Sequence, residues 1–256
     1  MSTTIGAGGS PAAAANDPVS GDQTAVTLFD HLAPPRMNPY LAATHGDKQQ
    51  AMDLYLWNCA AGAALWEVLS HVEVAIRHAV DSALTARHER LGRQDDDWLW
   101  HPDVSKELGG KASEDIEEAL KRADTSAKRR YTVTSDHVIA ELSFGFWRFL
   151  FSKDRESAIG SAIRSAFPHA PKAARANDLS DLNAIVSMLY SLRNRIAHHE
   201  PIWWTRLDFR HSDALRILSY ISPGLRDFVA SQSRFDAIYA SRPAVACTGQ
   251  SPARAS

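Results

Sequence analysis

Two cysteines in 256 residues, Cys59 inside an apolar helical pattern and Cys247 in a polar tail, are too few for a disulfide framework or a thiolate zinc site. A reducing cytosol is the natural compartment for such a chain. Long hydrophobic runs are also scarce. No uncharged apolar stretch reaches the roughly 20 residues that a membrane span needs. The opening MSTTIGAGGSPAAAANDPVSGDQ has neither the basic start nor the apolar run of a secretory signal. We therefore expect a cytoplasmic protein, neither exported nor anchored. Excess charge is missing as well: 28 Lys and Arg meet 30 Asp and Glu, for a net charge of -2. Nothing draws the whole chain toward nucleic acid or an anionic membrane, so any RNA contact must come from a local basic surface. Valine and isoleucine never alternate with polar residues over a useful length, which excludes a substantial sheet.

What remains is a composition of 45% hydrophobic and 23% charged residues, enough to bury a sizeable core in one domain. Residues 1–26 and 242–256 are rich in Ala, Gly, Ser and Pro without periodicity and read as disordered tails around an all-α domain at 27–241. The strongest helix spans about 47–90, where Leu65, Val68, Leu69, Val72, Ile76, Val80 and Leu84 recur at three- and four-residue steps. Glu73, Arg77 and Asp81 form a charged ladder along its flank. Further helices are expected at about 113–123, 134–150, 154–166, 180–199, 211–222 and 223–240. Gly145 inside the second of these implies a kink or the close approach of another backbone. The run Asp95, Asp96, Asp97 invites a metal, but adjacent side chains on a flexible segment rarely converge on one ion. Lys121, Arg122, Lys128, Arg129 and Arg130, beside Tyr131, form the densest basic cluster. They fit either a phosphate backbone or an ordinary hydrated surface.

The most informative segment is DLSDLNAIVSMLYSLRNRIAHHEPIWW at 178–204. Leu182, Ile185, Val186, Leu189, Leu192 and Ile196 make one apolar face, and at about 100° per residue Arg193 falls within it. A guanidinium there needs a carboxylate, for which Glu73 is a candidate, or a polar cleft that receives an anion. Asn194 lies one turn behind His198, which occupies the last turn before Pro201. His198 and His199 are also the kind of residue that caps a helix C-terminus. A zinc site at His198, His199 and Glu200 is disfavoured, because consecutive helical side chains diverge by about 100°. Trp203 and Trp204 suit base stacking or, more simply, core anchoring.

RNRIAH, with Arg193, Asn194 and His198, resembles the signature of the HEPN superfamily. YLWNCAAGAALWEVLSHVEVAIRHAVD at 55–81, AELSFGFWRFLFS at 140–152, LRNRIAHHEPIWW at 192–204 and the closing ISPGLRDFVA follow the order found in its Abi-like branch. The resemblance covers about 35–242. It implies a HEPN helical bundle, a link to abortive phage infection or toxin-antitoxin systems, and metal-independent RNA cleavage without a cofactor by a homodimer with a composite site. His198 would then be general acid or base, Arg193 would stabilise phosphate charge, and Asn194 would orient either. Glu73, Arg77 and His199 would support the site, Lys128, Arg129 and Arg130 would contact RNA, and an antitoxin protein is an expected partner. The other reading is a catalytically silent HEPN module that binds RNA, a nucleotide or a protein, with Arg193 in a structural ion pair. One HEPN subgroup carries a tyrosine two residues after the histidine; this chain has Glu200 there, so regulation through such a tyrosine is not expected.

Overall fold

The computed structural model describes residues 29, 31–93, 97–127, 132–173 and 175–244, and among these every regular element is helical. The elements are α1 (Pro34–Ala43), α2 (Lys48–Arg90), α3 (Val104–Leu108), α4 (Gly110–Ala127), α5 (Ser135–Glu141), α6 (Phe144–Phe149), α7 (Glu156–Ser165), α8 (Ser180–Ala197), α9 (Leu207–Ile221), α10 (Pro223–Gln232) and α11 (Phe235–Ala240). The expected tail at 1–26 lies outside the described residues, as does all of the other beyond residue 244.

Two compact units are present, one made of residues up to 55 and from 243, the other of residues 56–242. In the first, α1 opens on a proline pair whose fixed φ suits a first helical turn. Tyr40 meets Tyr55 edge to face at 5.5 Å. The Thr44 hydroxyl donates to the Tyr40 carbonyl at 3.0 Å, beside the Thr44 N–H that reaches the same oxygen at 3.1 Å. Sequence periodicity missed α1, because three prolines obscure it.

In the second unit, Leu65, Val68, Leu69, Val72, Ile76 and Val80 of α2 are at most 1% exposed. Each such burial contributes on the order of 1.5–3 kcal/mol. An 18-residue window of α2 reaches a mean hydropathy of 1.3, long and apolar enough by composition to cross a membrane. The buried stripe takes up part of that window, 44% of which is buried. From α8, Leu182, Ile185, Val186, Leu189 and Leu192 are buried. Two contacts fix α8 and the following loop to α2. A Cβ on Gly62 would lie 3.7 Å from Ile196 and 3.8 Å from Ile202. The Asn58 carboxamide oxygen accepts the backbone N–H groups of Ile202 at 2.8 Å and Trp203 at 3.1 Å. Asn58 is itself buried, so those two amides would have no solvent to turn to.

Several expected boundaries shift. The helix expected at 113–123 runs from Gly110 to Ala127, because Ala112, Ala119, Ala123 and Ala127 keep one face buried at both ends. The helix expected at 134–150 is broken: Leu142 turns extended, and the Ser143 hydroxyl restarts the chain by accepting from Phe146 N–H at 3.3 Å. Gly145 sits just inside that new start. The group crowding it is a side chain, with Tyr190 Oη 3.3 Å from where a Cβ would be. The last predicted helix is also two helices, α10 and α11, separated where Ser233 is extended. One close approach went unread: a Cβ on Gly160 would lie 2.4 Å from the backbone oxygen of Asn177. Only a glycine lets α7 sit against that turn.

Candidate functional site at the end of α8

α8 stops in a two-bond arrangement. His199 N–H donates to Ile196 O at 2.9 Å and Glu200 N–H to Arg195 O at 2.8 Å, which together form a Schellman cap. That cap requires a left-handed residue, and His199 supplies it at φ 54. Glycine is the usual occupant, and a side chain in this conformation costs roughly 1–2 kcal/mol. Arg195 braces the turn. Its Nη2 donates to Pro201 O at 2.9 Å, its Nε lies 3.3 Å from Glu200 Oε2, and its guanidinium sits 4.7 Å from the Trp204 ring. Trp203 meets Trp204 edge to face at 5.4 Å and is buried, so it anchors the loop.

Arg193 leaves the apolar face at its margin. Its Nε lies 3.4 Å from Glu73 Oε2, while Arg77 Nη2 lies 3.4 Å from the other oxygen of the same carboxylate. The Glu73 side chain is 16% exposed and that of Arg193 is 32% exposed. The carboxylate therefore does not seal the guanidinium away from solvent. The Nε atoms of Arg77 and Arg193 are both buried and make no hydrogen bond. Two guanidiniums thus share one carboxylate, leaving one uncompensated positive charge. On its other side Arg193 lies 5.2 Å from the ring of Trp66, which is 38% exposed.

The expected residues are distributed as follows. Glu73, Arg77 and Arg193 converge. His198 is held to Asn194 through the backbone, its N–H donating to Asn194 O at 2.9 Å; Asn194 is half-buried and His198 exposed. His199 follows directly, also exposed. Lys128, Arg129, Arg130 and Tyr131 lie outside the described residues, as do Asp95 and Asp96. The ladder along α2 holds at Glu73 and Arg77, but the Asp81 carboxylate accepts from the Trp98 indole at 2.8 Å. Burial raises the Asp81 pKa from the ordinary carboxylate value, against that hydrogen bond. Among the described residues no three His, Cys, Asp or Glu side chains are grouped to hold a metal ion.

Sequence reasoning overlooked Trp66, Arg195 and Asn58. Trp66 stands seven residues before Glu73, two turns along one face, and that spacing was a readable sign of proximity to Arg193.

The profile of the Abi-like protein family matches residues 35–204, a span that includes every site residue above. The chain belongs to the Abi-like protein family. Membership associates it with abortive infection, a form of phage defence. No curated protein matches this Abi-like chain significantly, and no solved structure does.

Proposed function

We propose that this Abi-like protein belongs to the HEPN superfamily and is a metal-independent endoribonuclease of a phage-defence or toxin-antitoxin system. It would act in the cytoplasm as a homodimer and be restrained by an antitoxin protein. The observation that carries the reading is the under-neutralised guanidinium pair of Arg77 on α2 and Arg193 on α8, the helix whose end presents His198 to solvent.

In the proposed reaction an imidazole takes the proton of the RNA 2′-hydroxyl. The 2′-oxygen attacks the adjacent phosphorus, the bond from phosphorus to the 5′-oxygen breaks, and that oxygen receives a proton. The products are a 2′,3′-cyclic phosphate and a 5′-hydroxyl. Because the nucleophile is internal to RNA, no activated water is needed, and DNA is left uncut. Arg193 would stabilise charge on the phosphate oxygens, and Asn194 would orient His198 or one of those oxygens.

The contact of Glu73 with Arg193 favours a second reading, in which the ion pair is structural and the module binds RNA, a nucleotide or a protein without cleaving. Purified wild type and His198→Ala, incubated with total RNA in EDTA, separate the two. The nuclease reading expects cyclic-phosphate ends from wild type alone. Intact RNA in both tubes, or equal cleavage by both proteins, refutes it.

A further inference from the structure

α6 meets α8 along a seam with a polar rim. Arg148 Nε on α6 donates to the Ser187 hydroxyl at 3.2 Å, and that hydroxyl donates to the Asn183 carboxamide oxygen at 3.1 Å. One turn further along α8 the Tyr190 hydroxyl lies against Gly145: it and Ser143 Oγ are each 3.3 Å from where a Cβ on that glycine would be. Asn183, Ser187, Tyr190 and Asn194 follow one another at steps of four, three and four residues. They therefore share one face of α8 over roughly 16 Å. All four are half-buried, as is Arg148.

This rim has donors and no acid of its own. Residues 182–199 contain no Asp or Glu, and neither do residues 142–153. Among the described residues Arg148 has no carboxylate partner, and only its Nε is engaged. Its terminal nitrogens, the Asn183 amide group, the Tyr190 hydroxyl and the Asn194 carboxamide make no hydrogen bond to the described residues. A half-buried guanidinium without a carboxylate leaves a local positive charge that salt screens only in part. The neutral groups flanking it suit phosphate oxygens and ribose hydroxyls and repel neither. The stripe ends at Asn194, one turn before His198, so a strand lying along it would lead to that imidazole.

We propose that the α6–α8 seam is a track for the RNA backbone and that Arg148 holds a phosphate beside the one that reacts. The proposal rests on the RNA-cleavage reading and adds a substrate-binding residue to it, one that takes no part in proton transfer.

Anisotropy of a labelled single-stranded RNA, titrated at several salt concentrations with the His198→Ala protein so that the strand stays intact, reads the contact. Adding Arg148→Gln should weaken binding about tenfold and lower the slope of log affinity against log salt by about 0.7, the share of one phosphate on a single strand. Asn183→Asp supplies the missing carboxylate while still accepting from Ser187. It should melt at or above the temperature of its parent yet bind RNA about tenfold more weakly, which a merely structural arginine does not predict. Binding by Asn183→Asp, or by a folded Arg148→Gln, within about twofold of the parent overturns the proposal. A changed sedimentation mass in either variant assigns the seam to a protein contact and overturns it too, as does a parent that binds no RNA. Wild type that binds RNA with the Arg148-dependent slope and leaves it intact refutes the reaction alone, and the track then serves the non-cleaving module.

Discussion

Replacing Glu73 by glutamine removes the negative charge that Arg77 and Arg193 share while preserving the shape of the side chain. Each contact is 3.4 Å, longer than the roughly 2.8 Å of a well-formed charge-assisted hydrogen bond, and both guanidiniums reach solvent. Each is therefore worth less than the 1.5–3 kcal/mol of a good charged hydrogen bond. Two weakened contacts, with repulsion between the guanidiniums added, total about 2 kcal/mol. For a domain of this size that lowers the melting temperature by roughly 4–8 °C. The same change raises the local charge from one positive to two. Phosphate binding should strengthen by about tenfold, since one unit of charge acting over several ångströms near a protein surface is worth roughly 1.4 kcal/mol. Thermal melts with and without inorganic phosphate read both effects: Glu73→Gln should melt lower than wild type yet gain more from phosphate. A variant that loses stability and gains no extra protection would show that Arg193 serves the ion pair alone, and the anion-site reasoning would fail.

Two further perturbations probe the scaffold. Gly160→Ala drives a methyl group into the Asn177 carbonyl and should cost at least about 1–3 kcal/mol in denaturant titration; a loss below about 0.5 kcal/mol would contradict the packing described. Burial lowers the pKa of His211 from 6.5, opposed by Asp236, so the folded state favours neutral imidazole. Its contribution to stability is complete above pH 6.5 and declines as pH falls from there toward the lowered folded value, because the unfolded chain takes up the proton first. His211→Gln, which can still meet the Ser233 hydroxyl now 3.0 Å from Nε2, should flatten that part of the curve. An unchanged slope as pH falls below 6.5 would refute the assignment.

The long helices were legible because their apolar residues recur at helical spacing, and α2 and α8 begin and end within about two residues of where that spacing places them. Breaks were harder to read. Leu142 and Ser233 interrupt apolar patterns that continue on either side, and at both places a serine hydroxyl accepts an N–H in the restarted chain. Periodicity records which face is apolar and is blind to a one-residue excursion of the backbone. At the site, the misfit of a guanidinium on a hydrophobic stripe pointed to Glu73, and the carboxylate is there. Arg77 as a second cation on it and the left-handed backbone of His199 depend on how α2 and α8 cross and how α8 ends. No local pattern encodes those relations.

The clasp at Asn58 has a temporal consequence. Its two acceptor contacts reach residues 144 and 145 positions further along the chain. At a synthesis rate of about 5–20 residues per second, those partners leave the ribosome roughly 7–30 s after Asn58. Throughout that interval the Asn58 side-chain oxygen waits for these two amides, and the turn that carries His198 and His199 cannot be clasped until Ile202 and Trp203 have been made. The end of α8 is therefore completed only after most of the chain has been made.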